Sequence, residues 1–99
     1  MQLKKIEHLQ KDTQKWVKQI CKDYELESHH EKLLILAAES WEKAQSARET
    51  LLECGDYFEN RHGEIRPHPG IKTQNDSMIR FARLMRELGL DMQPEEVKK

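Results

Sequence analysis

The chain carries little that could do chemistry. Its 99 residues include two cysteines, Cys21 and Cys54, with no Cys-x-x-Cys spacing, so both read as free thiols rather than a disulfide or redox pair. Glycine is sparse: Gly63 and Gly70 stand apart and no Gly-Lys-Ser/Thr follows, which excludes a phosphate-binding loop. His30-Glu31 is not followed by a second histidine at helical spacing, so the zinc-protease motif is absent. No Ser/His/Asp arrangement is supported by spacing. His62, Glu64 and His68 cluster around a turn, but they fit a turn residue and a helix cap better than a metal site. We therefore expect no enzyme, no catalytic residue, no metal and no cofactor. Long hydrophobic runs are missing too. The longest, residues 33–38, is far too short to span a bilayer, and the N-terminus lacks a signal-peptide core. The expected setting is intracellular, with no membrane partner.

Charge is abundant, and its order along the chain is informative. Charged residues make up 35% of the sequence and apolar ones 36%, so the core must be narrow. Residues 1–24 hold six lysines against three acids; residues 25–56 hold eight acids against three bases; residues 57–99 hold eight bases against seven acids. The chain is basic, then acidic, then balanced.

Periodicity and punctuation predict an all-α fold: an antiparallel helical hairpin plus a third helix, with a short β-hairpin between the second and third helices. A single domain is expected over residues 1–99. Its parts are a basic first helix within 1–27, a long central helix within 28–55, a β-hairpin and proline segment over 56–68, a third helix over 69–90 and a polar tail over 91–99. The first helix is expected over 3–26, with Ile6, Leu9, Trp16, Val17, Ile20 and Tyr24 on one side. Thr13 interrupts that stripe, so a shorter helix capped by Asp12 or Thr13 is the alternative. Ser28 is the expected N-cap of the second helix, with Glu31 at capping-box spacing. That helix should run to Cys54 and stop at Gly55, about 39 Å at about 1.5 Å per residue. Its inner stripe is Leu33, Ala37, Trp41, Ala44, Ala47 and Leu51, with Leu34, Leu36 and Leu52 on the flanks. Tyr57-Phe58 and Glu64-Ile65-Arg66 flank a turn in which Gly63 permits positive φ. Pro69 suits the first turn of the third helix, and Gly89 the left-handed position after its end. Its expected inner stripe is Ile71, Met78, Ile79, Ala82, Met85 and Leu88.

An ordered set of these residues resembles the phage terminase small-subunit family. It comprises Leu36-Ala37, Trp41, Ala44 and Leu51-Leu52 on the long helix, Gly55 at its end, the hairpin over residues 57–65, Arg66, His68-Pro69, and the closing run Arg86-Glu87-Leu88-Gly89-Leu90. The resemblance covers about three fifths of the chain, residues 33–90. It implies a subunit that assembles with itself into a ring and recognises double-stranded phage DNA. Such a subunit hands that DNA to the terminase large subunit, which carries the ATPase and nuclease, in the host cytoplasm. The alternative is a small self-associating interaction module with no DNA role.

Two surfaces could serve such a role. Lys4, Lys11, Lys15, Lys18 and Lys22 gather on one face of the first helix, where ammonium groups could follow phosphates, or could simply be solvated. Lacking Arg, Asn or Gln, that row would position DNA rather than read bases. The outer face of the long helix is acidic, with Glu31, Glu39, Glu42, Glu49 and Glu53 around Ile35. The outer face of the third helix is basic, with Lys72, Arg80, Arg83 and Arg86 tempered by Asp76 and Glu87. Opposite charges on different faces suit a head-to-tail contact that can close into a ring. The expected interface is Ile35, Glu39 and Glu42 against Arg80, Arg83 and Arg86.

Overall fold

Glycine ends the longest helix of this chain and proline opens the next. A computed structural model describes residues 3–89; Leu90 and the expected polar tail lie outside the described residues. One turn of 3-10 helix, Leu3–Lys5, precedes α1 (Lys11–Asp23). The chain continues through α2 (Ser28–Cys54), strands β1 (Tyr57–Glu59) and β2 (Ile65–Pro67), and α3 (Pro69–Glu87). The fold is predominantly α, with a two-stranded antiparallel hairpin between the second and third helices, as the sequence predicts.

The first helix is shorter than the expected 3–26 span. Gln10 is extended (φ −65°, ψ 155°), and the helix starts after it. The break lets Ile6 and Leu9 turn into the core, where both are buried. Gln14 Nε2 donates to the Leu9 carbonyl at 2.7 Å, and the Gln10 N–H donates to Glu42 Oε2 at 2.6 Å. At the next boundary Glu27, one residue before the expected Ser28, is the N-cap, and its N–H donates to His30 Nδ1 at 3.3 Å.

Helix α2 ends on Gly55 at φ 84°, ψ 164°. That region is essentially restricted to glycine. A Cβ there would meet nothing closer than the Tyr57 carbonyl at 3.8 Å, so the obstacle is conformational rather than steric crowding. Gly55→Ala is expected to cost about 1–3 kcal/mol, measured as a lower denaturation midpoint with an unchanged slope.

In the hairpin Tyr57 pairs with Pro67, Phe58 with Arg66 and Glu59 with Ile65. Asn60 organises the turn: its Oδ1 accepts from the N–H groups of His62 and Glu64 at 2.9 and 3.0 Å. Gly63 supplies the positive φ of 79°. At the base of the hairpin the His68 N–H donates to the Asp56 carbonyl at 2.7 Å. His68 then caps α3, its Nδ1 accepting from the Gly70 N–H at 2.9 Å, with Pro69 in the first turn. His68→Ala should remove about 0.5–2 kcal/mol, and His68→Asn, which can also cap, should restore much of it in the same thermal melt.

Helices α2 and α3 run antiparallel. Leu51 near the end of α2 adjoins Gly70 at the start of α3. Leu34 near the start of α2 shares a core cluster with Leu88, just past the end of α3. The buried face of α2 includes Ala37, Ser40, Ala44 and Ala47, small residues that let a neighbouring helix approach closely. Helix α1 covers the other side of the α2 N-terminal half, bringing Val17 against Ile6, Leu9, Leu34, Ala38 and Leu88.

Two inner stripes differ from expectation. On α3 the inward residues are Ser77, Leu84 and, as expected, Leu88, with Ile71, Phe81 and Met85 half-buried, whereas Met78, Ile79 and Ala82 are exposed. The alanine-rich face of α2 accepts a serine, so α3 is turned away from its most apolar arc. On α2, Trp41 is 45% exposed instead of inside, and fully buried Leu34 takes the central position because α1 and α3 pack on two sides of the helix.

Candidate nucleic-acid and assembly surfaces

A lysine row forms because α1 repeats lysine at intervals of four, three and four residues. Lys11, Lys15, Lys18 and Lys22 are all exposed on that helix, and Lys15, Lys18 and Lys22 border one shallow depression floored by Ile6 and Cys21. From Lys11 to Lys22 the row spans about 16 Å at the rise of an α-helix. Lys4 lies off this helix, in the separate turn Leu3–Lys5 beyond the break at Gln10. Burial pushes the Cys21 thiol up from its ordinary value, which keeps it protonated beside the lysines.

The acidic face of α2 is partly engaged within the chain. Glu39 Oε2 lies 2.7 Å from His8 Nε2, and Glu42 accepts the Gln10 N–H near the positive end of α1. Ile35 is half-buried and packs against the cluster containing Ile6 and Leu9. The folded-back N-terminal segment thus supplies an intramolecular reason for Ile35 to be apolar. Glu39, Glu42 and Ile35 all contact this segment within the chain.

The basic face of α3 is open. Arg80, Arg83 and Arg86 are exposed, and among the described residues they take part in no ion pair, although Asp76 and Glu87 lie a turn away. Arg80 and Arg83 lie beside Ile79, which is 54% exposed.

A third surface was not legible in the sequence. Trp16 of α1, Trp41 of α2 and Phe81 of α3 meet with ring centroids 5.9 Å (Trp16–Phe81) and 5.3 Å (Trp41–Phe81) apart. They line a groove of about 220 Å³ with Asp12 and Thr13. Its signal was present but ambiguous: Phe81 sits four residues after Ser77 and three before Leu84, a spacing hidden by the more apolar neighbouring arc.

The comparison with known proteins rests on one match. A family described as phage terminase, small subunit, matches residues 13–96. This chain belongs to that family. No curated protein and no solved structure matches it. The matched stretch takes in nearly all of α1, the whole of α2, the hairpin and α3. Several of the residues that carried the resemblance are boundaries: Gly55 ends α2, His68-Pro69 starts α3, and Gly89 at φ 71° follows its end. In this small subunit His68 and Glu64, beside the hairpin, have structural duties. His68 caps α3, and Glu64 pairs with Arg66 at 2.7 Å. Cys21 and Cys54 are free, and no helix among the described residues is long and apolar enough to cross a membrane.

Proposed function

We propose that this small subunit is a non-catalytic, oligomeric adaptor of a phage packaging motor. It works in the host cytoplasm as one helical unit, recognises viral double-stranded DNA and regulates the large subunit that carries the ATPase and nuclease. Membership in the family is the observation that carries this reading. The lysine row adds a physical basis for the DNA step: four exposed ammonium groups along one side of a helix neutralise phosphates and release counterions, which gives affinity without base readout. The open arginine face of α3 and its exposed Met78, Ile79 and Ala82 add a basis for self-association, because an apolar surface bordered by uncommitted charge suits a protein contact.

Two measurements test the reading. Binding to duplex DNA should weaken steeply with salt, and native mass should report many copies. Reversing Arg80 and Arg83 to Glu should shift light scattering toward smaller species. A chain that is monomeric at high concentration and indifferent to duplex DNA would defeat the proposal.

A further inference from the structure

The aromatic groove and the arginine face fit each other chemically, yet they cannot meet within one chain. Phe81, on the core-facing side of α3, helps to form the groove. Ile79, two residues earlier, is turned about 200° from Ser77 at about 100° per residue and points away from the core. The groove exposes aromatic carbon, and its surroundings are acidic. Asp12 lines it directly, and a smaller adjoining cavity that shares Thr13 and Trp41 is lined by Glu42 and Glu49. Among the described residues no basic side chain lines either cavity. The α3 face offers exposed Ile79 beside two guanidinium groups, Arg80 and Arg83, that take part in no ion pair among the described residues, with Asp76 and Glu87 lining the same depression.

We propose that the Trp16–Trp41–Phe81 groove of one subunit receives Ile79 of a second copy of the chain. Arg80 and Arg83 of that copy reach Asp12 and Glu49 at the groove's border. This rests on the self-association proposed above and gives it a specific contact, in place of Ile35, Glu39 and Glu42. The occupant follows from charge complementarity, and from the pairing of tryptophan and arginine with a small apolar anchor that recurs in the energetic centres of interfaces. Arginine beside exposed Trp41 also permits a cation–π contact. Because each subunit keeps one groove and one Ile79 face, the contact is head-to-tail: every added subunit leaves one of each free until the assembly closes.

Mixing two variants tests this directly. The groove variant carries Asp12→Lys and Glu49→Lys; Ser46→Arg with Glu49→Lys is a second version that leaves α1 untouched. The face variant carries Ile79→Asp and Arg83→Glu. Each alone should run as a monomer, with self-association weakened roughly tenfold or more. Mixed in equal amounts, they should form a one-to-one pair and nothing larger, because the face variant still offers a groove and the groove variant still offers Ile79. Pairing in the mixture also shows that both variants are folded. If both variants assemble like the unaltered chain, or if two monomeric variants fail to pair, this contact is wrong while self-association by another route stands. If the unaltered chain is itself monomeric, self-association fails and this contact with it.

Discussion

Replacing Lys15 and Lys18 with Glu should flatten the salt dependence of DNA binding and remove most of the affinity at low salt. Both side chains are exposed in the middle of the α1 row. A subunit that engages four phosphates has a log–log salt slope of about −3.6, which is about a 10²-fold loss of affinity between 50 and 200 mM salt. With two lysines gone the slope should fall to about −2 and the loss over the same range to about tenfold. Reversal also adds repulsion, so the drop at low salt should exceed that from Lys→Gln at the same positions. Stability should move by no more than about 0.5 kcal/mol, because neither residue is buried or capping. The measurement is a fluorescence titration of duplex DNA at several salt concentrations. An unchanged slope would remove α1 from the DNA-binding surface. Lys4→Glu is the internal comparison: it lies off α1 and should have the smaller effect.

Leu34→Ala should produce the largest loss of stability of any single truncation discussed. Leu34 has no exposed surface and lies where α1, α2 and the end of α3 converge on Ile6, Leu9, Val17, Ala38 and Leu88. Removing a buried leucine down to Cβ costs about 2–5 kcal/mol, depending on how far the surroundings collapse. In a domain of this size each kcal/mol shifts the melting temperature by roughly 4–8 °C, so a fall of roughly 8–40 °C is expected. The matched control is Leu36→Ala, two residues away but 44% exposed, which should shift the melt by only a few degrees. Both melts belong at the same protein concentration, because assembly adds stability by mass action. Equal losses at the two positions would contradict the packing of α1 and α3 on α2.

The same run of residues shows what could be read in advance. Leu33, Leu34, Ile35, Leu36, Ala37 and Ala38 are consecutive apolar side chains, so their pattern announces a buried helix segment without selecting its innermost face. A helix packed on one side buries a narrow arc, whereas two packing partners bury a wider one. The sequence reading assigned Leu34 to a flank and Trp41 to the centre; the docking of α1 interchanges their exposure. On α3 the difficulty was phase. Ile71, Met78, Ala82 and Met85 make one apolar arc, and Ser77, Phe81, Leu84 and Leu88 another. Only the alanine face of α2 determines which one turns inward.

The backbone punctuation is a local property, and it was readable. Pro69 tolerates the first turn of a helix because it needs no donor there. Gly55, Gly63 and Gly89 take positive φ without a Cβ penalty, and Asn60 folds its own turn. These residues determined the number, order and approximate ends of the principal elements, and with them the family resemblance. The position of the N-terminal segment, the path of α1 and the aromatic groove were decided by tertiary structure. They depend on contacts such as His8 with Glu39, 31 residues apart, and Trp16 with Phe81, contributed by different helices. Spacing along a chain sets the pitch of a side-chain pattern, but its orientation is set only when another surface arrives to pack against it.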